Sequence, residues 1–305
     1  MFLFNKRCWH PKYWALAILL AFFWLLARLP NSTVFPMGRA VGRLIYLLSK
    51  KTRRTTEVNL RLVQPGKDDA YYKAAVKECC LELGISFMET FFFWFNDPAK
   101  FVEGRYRLDG EEHWQAALAQ DKGIIVLLIH MGAIDMTGIF LQYFGTEGRE
   151  VVATYRDSDP VVNAFLEGRR HRLCTRLLSS TDQRGVMRAL RNKGMVWYPA
   201  DIEVSNSASL FAPIMGVPAS TPAILPRLAS SGKALVLPFT IYRDGSTYRG
   251  RVFPAFENYP SGDLQADTNK VNEAIGDMIE PQLLRYWWVI KRFKHMPDGG
   301  RRDYS

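Results

Sequence analysis

The chain has 305 residues, of which 48% are hydrophobic and 23% are charged. This balance is typical of a packed globular protein and excludes disordered, collagen-like and low-complexity chains. The length suits one large domain or two small ones and allows a sizeable core. Four cysteines are too few and too irregularly spaced for a disulfide framework, and no CxxC pair indicates a zinc site.

The formal charge of +10 is concentrated in the first part of the chain. Residues 1–60 contain ten basic side chains and one acid, whereas the other 245 residues contain 30 basic and 29 acidic side chains. An excess of this size first suggests a nucleic-acid partner. Because the excess surrounds an apolar segment, it favours an anionic membrane surface instead, and we predict no nucleic-acid partner.

Residues 13–27 (YWALAILLAFFWLLA) form an uncharged apolar run that predicts a membrane anchor within residues 1–30. As a helix, the run spans about 22 Å, which is short of the roughly 30 Å hydrocarbon core. Arg28 can snorkel, and Trp14 and Trp24 lie where interfacial anchors sit. The alternatives are a buried core helix and a cleaved signal peptide, although no small-x-small cleavage site follows the run.

Residues 31–60 are predicted to form a basic amphipathic segment on the membrane surface. Arg39 and Arg43 are four residues apart and so share one helix face, close to the apolar residues 44–48. Basic and apolar side chains in this arrangement are typical of a helix that lies on anionic lipid. The alternative is a core helix whose basic end is solvated.

Strand-like and helix-like segments alternate after residue 60. The predicted strands are 123–129, 151–155, 195–198 and 234–239. The predicted helices are 70–97, 160–177, 183–193, 221–231 and 266–284. Strands separated by helices predict an α/β domain with αβα layers and a mostly parallel sheet.

A histidine and an acid follow the most apolar strand at its carboxyl end, where open α/β sheets place reactive groups. His130 comes directly after the strand 123–129, and Asp135 follows five residues later. This spacing predicts a dyad in which the histidine removes a hydroxyl proton and the acid orients the imidazole. Gly132 permits close backbone approach, and amides at the next helix start can hold an oxyanion. The alternative for His130 is a structural strand-end residue.

Two further strand ends contribute charged side chains. Arg156 closes the strand 151–155, Arg169 lies near the end of the next helix, and Asp201 follows the strand 195–198. Converging arginine and aspartate groups suit a phosphorylated or otherwise anionic substrate. The alternatives are a solvated helix end for Arg169 and a turn-forming role for Asp201.

Several other chemistries lack their motifs in this sequence. It contains no GxGxxG, GxxxxGK[ST] or GxSxG pattern, which argues against dinucleotide, P-loop and nucleophile-elbow enzymes. The five histidines show no HExxH spacing. We therefore predict no metal and no cofactor.

Taken in chain order, the motifs resemble those of the lipid A biosynthesis acyltransferases, and the resemblance runs along nearly the whole chain. The segments that carry it are 130–135 (HMGAID), 155–160 (YRDSDP), 168–169 (GR), 197–201 (WYPAD), 211–221 and 288–294 (WVIKRFK) with Pro297. In this comparison 211–221 corresponds to a phenylalanine-containing loop that precedes a threonine-bearing helix. The ordered set is far more specific than any single member.

The resemblance implies a glycerolipid-acyltransferase-like fold, with residues 61–305 as the acyltransferase domain behind a membrane-anchor helix. Such enzymes transfer a fatty acyl chain from acyl carrier protein to a hydroxyl of a lipid A precursor. By resemblance His130 is the general base and Asp135 its partner, while Arg169 and Asp201 orient substrate or support the dyad. Direct attack on the thioester, with no acyl-enzyme, is the implied mechanism. The implied location is the bacterial inner membrane, with the catalytic domain on the cytoplasmic side.

The sequence leaves the acceptor and the donor open. Position 135 carries Asp where the commoner family acid is Glu, so a lysophospholipid, an ornithine lipid or a glycolipid is an alternative acceptor. A non-catalytic membrane-associated protein is the alternative from another class. Coenzyme A is the alternative donor, and an acidic carrier protein would fit a basic face at 169–172 or 291–294.

Overall fold

The computed structural model describes residues 10–97, 103–104, 106–155, 158–204, 208–245 and 247–305. The helices are α1 (Trp14–Leu26), α2 (Val34–Leu48), α3 (Lys50–Val63), α4 (Asp69–Phe95), α5 (Glu111–Leu118), α6 (Thr137–Tyr143), α7 (Pro160–Arg170), α8 (Gln183–Arg191), α9 (Leu225–Gly232) and α10 (Leu264–Ile279). The strands are β1 (Tyr106–Asp109), β2 (Gly123–Leu128), β3 (Val151–Tyr155), β4 (Arg176–Ser179), β5 (Met195–Pro199), β6 (Ser209–Ile214), β7 (Val217–Pro222), β8 (Ala234–Asp244) and β9 (Thr247–Val252). Short 3₁₀ helices include Ile134–Met136 and Glu280–Arg285.

Seven of these strands form one sheet in the order β1-β9-β8-β2-β5-β3-β4. Every neighbouring pair is parallel except β8 and β9, which are antiparallel. Strands β2, β3, β5 and β8 lie at the four predicted strand positions. The predicted α/β class with a mostly parallel sheet is therefore confirmed.

The sheet has a hydrophobic core on each face. Side chains of β2 alternate between the two cores: Ile124, Val126 and Leu128 enter one, and Ile125 and Leu127 enter the other. Every residue of β2 is buried, as a continuous apolar run in a parallel sheet predicts. The core with Ile125 contains α3, α8, α9 and α10, whereas the core with Ile124 contains α5 and α6.

The segment 211–221 is a β-hairpin, where the sequence predicted a loop and then a helix. Strands β6 and β7 pair in antiparallel register around the two-residue turn Met215-Gly216, where both residues have positive φ. Such a turn matches the twist of paired strands. Prolines in both strands hide the strand signal, since proline is unusual within a sheet. The predicted helices 160–177 and 221–231 are correspondingly shorter, as α7 and α9.

Helix α2 packs closely against α4 through glycines. A Cβ atom added at Gly42 would lie 2.5 Å from the Cα of Leu81, and one added at Gly38 would lie 2.5 Å from the Cα of Ile85. On the outside of α2, Leu47 and Leu48 are exposed. One face of α2 therefore belongs to the body of the protein, while the other presents apolar side chains outward.

The expected domain boundary at residue 60 falls inside α3. The buried Asn59 of this helix donates hydrogen bonds to the carbonyls of Trp288 and Ile290, both at 2.8 Å. Residues 34–63 thus pack as part of the α/β body, and the C-terminal segment is tied to them.

Helix α1 covers most of the predicted apolar run, and residues 1–9 of the expected anchor lie outside the described residues. The ring of Phe23 stacks on Phe91 of α4 at 3.8 Å between centroids, whereas Ile18 is 70% exposed and Leu25 is 59% exposed. Within the described ranges, no single helix is long and apolar enough to cross a membrane. The segments Pro11–Leu26 and Asn31–Leu48 together are long and apolar enough to cross a membrane, by length and composition only, but they are bent by 117°.

Candidate active site

A cleft of about 1150 Å³ opens at the carboxyl ends of β2, β3 and β5. Its polar side chains include His130, Asp135 and Arg170. Its apolar walls include Leu128, Ile134, Leu166, Met187, Trp197 and Leu228. The cleft runs from the loop after β2 to α8 and α9, where Gln183, Arg227 and Ser231 also line it, so it combines apolar walls with polar side chains along its course.

His130 is paired with Asp201, and the strand register explains why. In the parallel pair of β2 and β5, Leu128 is opposite Pro199. His130 comes two residues after Leu128, and Asp201 comes two residues after Pro199. The two side chains therefore lie side by side at the edge of the sheet. The His130 backbone N–H donates to Asp201 Oδ2 at 2.8 Å, and His130 Nδ1 lies 2.7 Å from Asp201 Oδ1.

The charges of this pair stabilise each other. Asp201 is 0% exposed, and burial alone would raise its pKa; the charge of His130 and the hydrogen bonds from it lower the pKa of Asp201 overall. Burial likewise opposes the protonated imidazole, but Asp201 raises the pKa of His130 overall. An ionised Asp201 places the ring proton on Nδ1, which leaves Nε2 unprotonated and able to accept a proton. His130 is therefore arranged as a base.

Asp135 does not hold the position next to His130 that the sequence predicted. Asp135 Oδ2 accepts a hydrogen bond from Trp94 Nε1 at 2.7 Å, and Asp135 Oδ1 accepts from Arg170 Nε at 3.1 Å. The loop turns through Gly132, whose φ is +57°, and the following 3₁₀ turn carries Asp135 towards α7. Asp135 still lines the cleft, and its charge contributes to the raised pKa of His130.

Arg170 faces the cleft, where the sequence predicted Arg169. Arg169 Nη1 donates to the carbonyl of Trp94 at 3.2 Å, and its guanidinium lies over the rings of Phe95 and Phe165. Burial, and then the neighbouring Arg172, lower the pKa of Arg169. Consecutive helical residues point about 100° apart. Arg170 lies four residues after the cleft residue Leu166 on the same helix face, which is the sequence signal that identifies it.

The two remaining predicted residues are Arg156 and Gly132. Arg156 lies outside the described residues. Gly132 borders a separate small crevice, together with Glu89 and Arg243. In that crevice Glu89 accepts a hydrogen bond from Tyr248 at 3.0 Å, and burial raises the pKa of Glu89 to about 7.

The C-terminal segment packs against His130 and Asp201, a role that the sequence did not predict. The backbone N–H of Trp287 donates to the carbonyl of His130 at 3.0 Å, and the centres of their rings are 5.6 Å apart. The buried Tyr286 hydroxyl faces Asp201 and helps to lower the pKa of that carboxyl, although it makes no hydrogen bond of regular geometry to any residue that the structure describes.

Arg292 lies in the same buried layer. Its guanidinium is 1% exposed and donates to Ser220 O and Thr221 Oγ1, both at 2.9 Å. Burial lowers the pKa of Arg292, and the nearby Tyr286 and Asp201 oppose that shift. A buried cation therefore stands close to the carboxylate that holds His130.

The described cysteines are not available as nucleophiles. Cys79, Cys80 and Cys174 are buried free thiols, and burial raises the pKa of all three, to about 11 for Cys80 and Cys174. Nor do the described residues contain a group of three His, Cys, Asp or Glu side chains placed to hold a metal ion. The cleft thus combines a histidine oriented by a buried carboxylate, a nearby arginine and several apolar side chains, an arrangement that can remove a proton from a hydroxyl of a partly apolar molecule.

Comparison with known proteins identifies the family. A family model described as bacterial lipid A biosynthesis acyltransferase matches residues 1–295. The chain is 26% identical to the lipid A biosynthesis lauroyltransferase of Escherichia coli (strain K12) over 300 residues, which cover 97% of this chain and 96% of the relative. It is also 26% identical to the palmitoleoyltransferase (97% and 96% covered) and 24% identical to the myristoyltransferase (99% and 94% covered) of lipid A biosynthesis in that organism.

The chain therefore belongs to the bacterial lipid A biosynthesis acyltransferase family. It is an acyltransferase of lipid A biosynthesis, and the family implies a lipid A precursor as the acceptor. The resemblance that the sequence motifs suggested is thus confirmed.

Proposed function

We propose that this protein transfers a fatty acyl chain from an acyl carrier protein thioester to a hydroxyl of a lipid A precursor, with His130 as general base. The observation that supports it is the His130–Asp201 pair, whose histidine lines a cleft of about 1150 Å³ with many apolar side chains in its walls. In this proposal Asp201 has the orienting role that the motif spacing had given to Asp135.

The first step joins the hydroxyl to the thioester. His130 Nε2 removes the hydroxyl proton as the oxygen attacks the carbonyl carbon, and Asp201 stabilises the imidazolium that forms. The raised pKa of His130 and the lowered pKa of Asp201 both favour this charged pair. Asp201 also fixes the ring orientation through two hydrogen bonds.

The second step expels the thiol. The tetrahedral intermediate carries a negative oxygen, and Arg170 supplies positive charge at the same end of the cleft. Asp135 contacts Arg170 Nε and Nη2 at 3.1 and 3.0 Å, which holds the guanidinium in place. The carbon–sulfur bond then breaks, and the leaving thiolate takes the proton from His130. The hydroxyl has become an ester and the base is restored, without an acyl-enzyme.

The size of the cleft supports a long-chain donor. Its volume of about 1150 Å³ exceeds the roughly 300–1000 Å³ of ordinary small-molecule pockets. Its apolar side chains along the walls, which include Leu166, Met187 and Leu228, suit an acyl chain.

The exposed apolar surface supports a membrane location. Ile18, Phe22 and Leu25 of α1 and Leu47 and Leu48 of α2 are all exposed. Basic residues 39, 43, 50 and 51 lie on or next to α2. In the proposal, α1 and α2 hold the protein on the cytoplasmic face of the inner membrane, where the lipid acceptor is reached.

The proposal is tested by His130→Ala. Removal of a general base lowers the rate by about 10²–10⁴-fold, measured as acylated lipid A precursor by mass spectrometry with purified enzyme and acyl carrier protein thioester. His171→Ala is the matched control, since this exposed histidine lies outside the cleft. Near-normal transfer by His130→Ala refutes the mechanism. Acylated phospholipid in place of acylated lipid A refutes the acceptor.

A further inference from the structure

Helix α8 has a basic outer side. Arg184, Arg188 and Arg191 are exposed at helical spacings of four and three residues, while the opposite side of the helix is buried in the core. Arg191 Nε donates to the carbonyl of Ser231 at 2.8 Å, which joins α8 to α9, and α9 adds the exposed Arg227. These four arginines are called the α8 basic face below.

The charge of this face is not neutralised. None of its four arginines has an ion-pair partner among the described residues. Helix α8 itself (QRGVMRALR) contains no acid, and its N-cap Asp182 accepts a hydrogen bond from the Gly185 backbone. By contrast, the arginines of 169–172 bind Asp135 and carbonyls at the end of α4. The basic face that the sequence suggested at 169–172 is therefore largely occupied within the protein.

The α8 basic face borders the cleft on the side away from α1. Gln183 and Met187 of α8 and Arg227 of α9 are lining residues. Helix α8 packs on the sheet face of Ile125, whereas the end of α1 packs in the core of the opposite face. A soluble partner on α8 therefore lies on the opposite face of the sheet from the end of α1.

We propose that the α8 basic face is the docking surface for the acyl carrier protein. This inference rests on the proposed function, because it assigns a binding surface to the donor of that reaction. Acyl carrier protein is acidic and soluble, so its charge is complementary to four arginines that have no acidic partner among the described residues, of which Arg227 lines the cleft. Docked there, the carrier delivers its thioester chain between α8 and α9 while the lipid acceptor enters from the membrane side.

The experiment compares two donors on one charge-reversed variant, Arg184→Glu/Arg188→Glu. With acyl carrier protein thioester, we expect KM to rise about tenfold, little change in kcat, and a weaker dependence on salt. With acyl-pantetheine, which lacks the protein, we expect KM and kcat to stay as in the parent enzyme. Lys73→Glu/Lys77→Glu is the matched control, because these exposed lysines have the same spacing and charge change on α4, away from the cleft.

Other outcomes overturn the inference. If the variant loses the same activity with both donors, the α8 basic face is part of the cleft. If the variant raises KM for the lipid acceptor, the face binds acceptor phosphates. If the variant no longer binds anionic vesicles but keeps the donor kinetics of the parent enzyme, the α8 basic face is a membrane contact. Direct binding of acyl carrier protein to the parent and the variant separates this inference from the reaction. If the parent enzyme transfers from neither donor, the proposed function fails, and unchanged carrier binding by the variant still refutes the docking surface.

Discussion

Asp201→Asn tests the central geometry most sharply. The two carboxylate oxygens accept from two donors of His130, the backbone N–H at 2.8 Å and the ring Nδ1–H at 2.7 Å. An asparagine has one acceptor oxygen and one NH₂ group, so it cannot accept from both. If its oxygen keeps the backbone N–H, its NH₂ group faces Nδ1. The ring proton then moves to Nε2, and the base is lost.

The expected loss in kcat is about 10³–10⁴-fold, which corresponds to about 4–5.5 kcal/mol in the activation free energy. Some activity remains, because the cleft and Arg170 still bind and polarise the substrates. The variant also lacks the negative charge that raises the pKa of His130, so that pKa falls. Since the neutral ring is the active form, the rise in rate with pH moves to lower pH in the variant.

The assay is single-turnover acyl transfer across a pH series, with Asp135→Asn measured in parallel. Asp135 contacts Arg170 and Trp94, and its charge is a smaller contribution to the raised pKa of His130 than that of Asp201. Its variant is therefore expected to lose rate and to shift the pH profile less than Asp201→Asn does. The reasoning is refuted if Asp201→Asn keeps near-normal kcat and an unchanged pH profile. It is also refuted if Asp135→Asn shifts the profile more than Asp201→Asn does, because the acid of the sequence motif would then be the main partner of His130.

Three further predictions follow from the packing and charges. Arg170→Ala is expected to lower kcat about 10²–10³-fold in the transfer assay, whereas Arg172→Ala, outside the cleft, is expected to leave kcat near normal. Gly42→Ala is expected to lower the free energy of unfolding by about 1–3 kcal/mol in denaturant titrations, because its Cβ would overlap Leu81, whereas Gly168→Ala, with open space around it, is expected to be neutral or stabilising. Burial raises the pKa of Glu89 from 4.5 to about 7. The protonated Glu89 therefore stabilises the folded protein at low pH, and this contribution to the free energy of unfolding is lost as the pH rises from 4.5 to 7. Glu89→Gln is expected to remove that pH dependence, measured by thermal unfolding across a pH series.

The sequence predicted those parts of the fold that periodicity reports directly. Strand β2 is a continuous apolar run, and β2 is the strand buried on both faces. The hairpin of β6 and β7 was missed because its prolines suppress the strand signal, although the turn at Gly216 permits it. Local pattern decides local structure, but pairing between segments overrides it.

In the candidate site as well, local sequence pattern predicted some residues, whereas contacts between distant segments decided others. His130 was identified by its position after β2, and its location at the cleft agrees with that prediction. The identity of its carboxylate depends on which strand lies beside β2, and spacing along the chain does not contain that information. A near neighbour in sequence, Asp135, was therefore preferred over Asp201, which is 71 positions away. Arg169 and Arg170 are consecutive on α7 and point about 100° apart, so only Arg170 faces the cleft.

The pairing of Leu128 with Pro199 makes the chemistry depend on how two strands are aligned. A slip of one residue between β2 and β5 would move the carboxylate out of reach of the imidazole and turn side chains to the other face of the sheet. The buried residues of these strands that do not line the cleft, such as Ile125 and Val196, therefore protect catalysis by preventing that slip. Substitutions deep in β5 that leave the protein folded are then a route to inactive enzyme, and acyl transfer becomes a sensitive report of strand alignment.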